Sequence, residues 1–146
     1  DRAVACLAAR AHSKHEIEQK LLRVGYRPCT VEMVLYKLER EHLLNDADFA
    51  RQWVEARSGR KLGRSRIAQE LRRKGIDADE AEEALSAIGE DAQLADAIAL
   101  AEKAAARAKS DEDPRKTYQR IAAMLARRGF RWDITKEALA QVLQAD

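Results

Sequence analysis

Cysteine, proline, glycine and aromatic residues are all scarce here: two, two and six of the first three among 146 residues, and aromatics at 5%. Cys6 and Cys29 are too few for a disulfide framework, and His12, His15 and His42 stand at no metal-ligand spacing from them. Neither a metal nor a cofactor is expected, and a reducing compartment is the natural setting. So few glycines and aromatics exclude an all-β sandwich, which draws on many turns and on Val, Thr and Tyr. Long apolar runs are lacking too. The most apolar stretch, Ala92 to Ala108, carries Asp96, Glu102, Lys103 and Arg107, so it does not span a bilayer. No signal peptide is visible, and since the first residue is Asp1 rather than methionine, a preceding natural segment is expected.

What remains is helix. Hydrophobic residues make up 46%, yet 28 of those 67 are alanine, which leaves 39 bulky apolar side chains for every core. Together with Leu, Glu, Arg and Lys, alanine is among the strongest helix formers, and an all-α protein is expected. Charged residues at 36% balance to a net +2, a composition soluble yet too apolar for a disordered coil.

The helices repeat. Ile17, Leu21, Gly25 and Tyr26 recur at identical spacing as Ile67, Leu71, Gly75 and Ile76, and again as Ile121, Leu125, Gly129 and Phe130. Ten residues after each glycine stands Leu35, Leu85 or Leu139, and three further on Leu38, Ile88 or Val142. Ile and Leu four apart share a helical face, and the glycine fits the left-handed residue that closes a helix, with the next side chain packing back on the leucine. Ser13 with Glu16 forms a capping box, Asp77 with Glu80 resembles one, and Pro28 fits a first helical position. Leading helices are expected over Ala3–Ala11, over Asp46–Arg57 with Phe49, Trp53 and Val54 inward, and over about Asp91–Ala108 with Leu94, Ile98 and Ala101 inward. Three tandem three-helix repeats follow, residues 1–44, 45–90 and 91–146, expected to form an elongated, curved array.

Charge is segregated along these repeats. Residues 1–56 sum to zero, 57–74 to +7, 75–113 to −9 and 114–146 to +4. With Ile67 and Leu71 inward, Arg66, Gln69 and Arg73 point outward, and Lys74 lies at the core boundary. Arg120, Ala123 and Arg127 match in the third repeat, and Glu16, Gln19 and Arg23 in the first. Cations in a last turn also complement the helix dipole, which competes with a partner-binding role. The binding candidates, for a partner or for phosphate, are Arg23, Arg57, Arg60, Lys61, Arg64, Arg66, Arg72, Arg73, Arg120 and Arg127, with Ser58–Gly63 read as a flexible basic loop.

The run from Leu43 to Ile76, with Asp46, Phe49, Ala50, Trp53, Arg57, Gly63, Ile67, Leu71, Gly75 and Ile76, resembles the RecX family of bacterial regulators of the RecA recombinase. Gly25, Tyr26 and Leu35 before it, and Arg128, Gly129 and Phe130 after it, extend the resemblance along essentially the whole chain. It implies a cytoplasmic, non-enzymatic modulator that lodges in the groove of the RecA–DNA filament and restrains ATP hydrolysis, strand exchange and co-protease activity. A monomer with a weak, sequence-independent contact with DNA is expected. Direct DNA binding by helix-turn-helix-like units is the rival reading, but the third helices carry acids such as Glu80, Glu82 and Glu83 where base-reading side chains would stand. Tyr26 and Trp53 are read as core, Cys6 and Cys29 as small buried hydrophobes, and no phosphate loop or nucleophile–base pair points to an enzyme.

Overall fold

The computed structural model describes residues 2–144, and among them the chain is helical without strands. The helices are α1 (Arg2–Ala9), α2 (Lys14–Val24), α3 (Pro28–Arg40), α4 (Asp46–Ser58), α5 (Arg64–Arg73), α6 (Ala78–Leu85), α7 (Glu90–Ala106), α8 (Pro114–Arg127) and α9 (Trp132–Leu143). No described helix is long and apolar enough to cross a membrane.

The repeated glycines end their helices as the spacing predicts. Gly25, Gly75 and Gly129 have φ of +112°, +74° and +98°. Behind each, the next N–H donates back to the leucine of the pattern: Tyr26 to Leu21 O at 3.2 Å, Ile76 to Leu71 O at 3.1 Å and Phe130 to Leu125 O at 3.1 Å. That is the Schellman ending, three times over. At the other ends, Ser13 and Glu16 form the capping box of α2 and Pro28 opens α3. Asn45 Oδ1 accepts from Asp48 N–H at 3.1 Å at the start of α4. Asp113, with Pro114 behind it, caps α8 through Arg115 N–H at 3.0 Å.

The chain falls into two compact units, one running to Val54 and including Glu70–Ala84, the other made of Glu55–Gln69 and the chain from Leu85 on. The first has a core of Ala3, Ile17, Leu21, Val31, Leu35, Leu38 and Leu44. The second is built on Ala97, Ala101, Ile121, Leu125, Phe130, Ala138 and Leu139, where α7 packs on α8 and α9. Gln93, Ala97 and Ala101 are the buried line of α7, one residue out of phase with the expected Leu94 and Ile98, which are only partly buried against the same cluster. Alanine has no bulk to hold helices apart, so the closest approach falls on the Ala97–Ala101 line and the larger side chains flank it.

Three expectations about burial are corrected. Tyr26 is 44% exposed, unlike its counterparts Ile76 and Phe130 at 6% and 5%. Its amphipathic ring tolerates water, so the first repeat closes without it. Cys29 is exposed, because on α3 it points away from the buried Val31, Leu35 and Leu38, whereas Cys6 does pack partly against the first core. Trp53 is half-buried, stacked on Phe49 with ring centroids 5.9 Å apart.

Candidate interaction surface

Two clusters of basic side chains emerge, one in each unit. In the second unit the basic turn after α4 is held from behind by Arg128. Its Nε donates to Lys61 O at 3.2 Å and its Nη2 to Arg60 O. Gly63 N–H donates to Arg128 O at 2.7 Å and Ser65 N–H to Gly129 O at 3.1 Å. Gln93, buried at 4% exposure, accepts from Arg64 N–H at 3.2 Å and satisfies one of the open donors at the start of α5. The turn that the sequence presents as a flexible loop is therefore fixed, and Lys61 keeps a left-handed backbone at φ +58°. With their carbonyls turned inward to Arg128, Arg60 and Lys61 leave exposed cations on the outside.

The remaining candidates of this unit differ in availability. Arg66 is half-buried rather than outward-facing. Its Nη1 donates to Arg127 O at 3.4 Å, and its Cβ fills the space beside Gly129. Arg57 and Arg64 are half-buried as well. Arg120 is exposed but engaged, with Nη2 3.0 Å from Glu112 Oε2. That hydrogen bond, helped by the Thr117 hydroxyl, holds the Glu112 carboxyl below its usual range. Arg127 is exposed.

Arg23, Arg72 and Arg73 belong to the first unit, and all three are exposed. Near them Ser13, fully buried, accepts from Glu16 N–H at 3.2 Å and donates to Lys74 O at 2.7 Å. Glu16 Oε2 receives Arg10 Nη2 and Lys74 Nζ, each at 3.0 Å. Partial burial pushes the Glu16 carboxyl up, but hydrogen bonds from Arg10, Ser13 and Lys74 outweigh it and bring the pKa to about 2. Lys74, at the core boundary as expected, also lies 5.0 Å from the centre of the Trp53 ring, whose Nε1 donates to Glu70 at 3.2 Å. Among the described residues no cluster of His, Cys, Asp and Glu could hold a metal ion.

Comparison with known families accounts for all three repeats. The model of the RecX first three-helix domain matches residues 1–38, that of the second matches 45–85 and that of the third matches 91–139. The chain belongs to the RecX family. It is 38% identical over 141 residues to the regulatory protein RecX of Mycobacteroides abscessus, covering 92% of this chain and 68% of that protein. To the regulatory protein RecX of Chlorobium limicola it is 35% identical over 143 residues, covering 97% and 87%. The crystal structure of RecX from Lactobacillus salivarius superposes with a TM-score of 0.87 at 27% identity, over 99% of this chain and 94% of that one. The RecX relatives are named as regulators, which supports a regulatory role.

Sequence reasoning named Arg128 only as part of the resemblance and passed over Gln93, yet these two side chains of this RecX family member hold the basic turn and the start of α5. Arg128 directly precedes the repeated glycine and reads as one more cation of a last turn. Only its position beside residues some sixty-seven places earlier shows the anchoring role.

Proposed function

We propose that the chain is a modulator of a RecA-type recombinase. It binds the recombinase filament assembled on DNA, lodges in its groove, and restrains ATP hydrolysis, strand exchange and co-protease activity in recombination and repair. The observation that carries this reading is the tandem of three RecX domains along the chain, with the basic segment 57–74 at net +7 between far less basic neighbours. We take the repeats as 1–44, 45–90 and 91–146, acting as a monomer in the cytoplasm without catalysis of their own. Arg60, Lys61, Arg72 and Arg127, exposed and positioned on helix ends and an anchored turn, are the candidates best suited to meet a partner. Arg23 and Arg73 join them, while Arg57 and Arg64 are half-buried and Arg66 and Arg120 are engaged with Arg127 O and Glu112.

Retention on immobilised single-stranded DNA tests this. At matched salt the chain should be held by DNA coated with recombinase far more than by bare DNA. Equal retention on both would favour the direct DNA-binding reading. That rival is disfavoured by α6, whose exposed Asp79, Glu82 and Glu83 would repel a phosphate backbone.

A further inference from the structure

Helix α3 is apolar on two sides. Val31, Leu35 and Leu38 are buried in the first core, while Cys29, Met33 and Tyr36, spaced four and three apart, form a second stripe that faces water. Met33 is 73% exposed and Tyr36 66%, more than any other large hydrophobic side chain among the described residues. The stripe borders a cleft of about 570 Å³, with the buried Leu35 beneath it and Lys14, Glu32 and Glu39 along its edge. Lys14 Nζ lies 2.9 Å from Glu39 Oε1, and Lys14 N–H donates to Asp46 Oδ1 at 2.8 Å, so this cation is already matched. Glu32 is exposed and forms no ion pair among the described residues. Negative charge extends past the cleft within the same unit: partial burial, with the charges of Asp46, Asp77, Glu39 and Glu83, pushes the Glu80 carboxyl up.

An exposed apolar stripe beside clustered carboxylates fits one class of partner. Those carboxylates would repel a phosphate backbone or an anionic lipid surface. Tyrosine supplies a rigid amphipathic anchor, and methionine adapts its shape to what packs on it. Glu32 and Glu39 are seven residues apart, about 10 Å along the helix axis, on one flank of the stripe, whereas Lys37 stands on the other. A helix laid along α3 would complement this with apolar side chains at three- and four-residue spacing and with cations two turns apart on one flank. We propose that the Cys29, Met33 and Tyr36 stripe, with Glu32 and Glu39 beside it, is a docking site for a basic amphipathic helix of a partner protein. The stripe lies in the first unit and the Arg60–Lys61 turn in the second, so the proposal does not depend on how that turn is used.

The test is a titration of the full chain into a fluorescent Leu–Lys peptide of about 18 residues, patterned as an amphipathic helix, with recombinase absent throughout. Met33→Ser with Tyr36→Ser should weaken binding about tenfold or more, and Glu32→Lys about threefold or more. Val24→Ser and Glu41→Lys, matched changes at exposed positions outside the cleft, should each alter affinity less than about twofold. Circular dichroism should show unchanged helicity in all four variants. An independent readout needs no substitution: saturating peptide should slow alkylation of the exposed Cys29 thiol several-fold, with the products resolved from those of Cys6 by mass. Undiminished alkylation of Cys29 would overturn the site, as would equal affinity for a scrambled peptide of the same composition, which would reduce the attraction to charge alone. Self-association of the parent chain that disappears in the Met33→Ser, Tyr36→Ser variant would assign the stripe to a second copy instead. Equal loss of oligo-dT binding in that variant would assign it to nucleic acid, and either result would also overturn the proposal. The outcome leaves retention by recombinase-coated DNA to be judged separately, since that assay reads the recombinase.

Discussion

Gly63 and Gly129 meet backbone to backbone: a Cβ on Gly63 would lie 2.3 Å from the carbonyl carbon and oxygen of Gly129. The approach brings Gly63 N–H to Arg128 O at 2.7 Å and seats the start of α5 against the end of α8. Because the obstacle is main chain, no rotamer change relieves it. Gly63→Ala should therefore cost about 2–4 kcal/mol in chemical unfolding. Gly89→Ala, where an added Cβ meets nothing within 4 Å, should cost less than about 1 kcal/mol. Equal costs at the two positions would show that the approach at Gly63 is looser than described.

Arg128 should matter through the turn it holds. Arg128→Ala removes two donors to the Arg60 and Lys61 carbonyls and should lower stability by about 1–2 kcal/mol. Hydrogen exchange at residues 59–63 should rise while the α2 and α3 amides stay protected. Arg128→Lys should rescue little, since one ammonium cannot reproduce the two-pronged grip. Unchanged exchange in the turn would remove Arg128 from its anchoring role.

Glu16 sets an acid limit on the first unit. Its folded pKa, about 2, lies below the ordinary value of 4.5, so the ionised carboxylate favours the folded state. That contribution is complete above about pH 4.5 and is lost as pH falls toward 2. Stability measured between pH 5 and 2 should fall more steeply in the parent chain than in Glu16→Gln, which lacks the titration. Parallel curves would show that the Arg10 and Lys74 contacts do not hold the proton off.

Much of this fold is legible from the repeat alone. The pattern Ile, Leu, Gly and a following large residue states a helical face, a left-handed stop and the packing behind it, and the backbone follows it at Gly25, Gly75 and Gly129. The Ser13–Glu16 box and Pro28 are equally local, decided within one helical turn. What the pattern does not carry is which side of a helix meets which neighbour. Arg66 reads as outward on a helical wheel, yet it is half-buried because Gly129, with no side chain, leaves room for its Cβ. Tyr26 occupies the same register as Ile76 and Phe130 but stays in water.

Charge reversal separates binding from folding on the anchored turn. Arg60→Glu with Lys61→Glu should leave thermal unfolding within a few degrees of the parent, because both side chains are exposed, while retention on recombinase-coated DNA drops several-fold. Full retention with intact fold would move the partner surface elsewhere.

ATP turnover by a recombinase already assembled on single-stranded DNA tests the regulatory claim most directly. Titrating in the full chain should lower the steady-state rate progressively and saturably, and the Arg60→Glu, Lys61→Glu variant should require a higher concentration for the same effect. An unchanged rate at several-fold excess of chain over recombinase would contradict the claim.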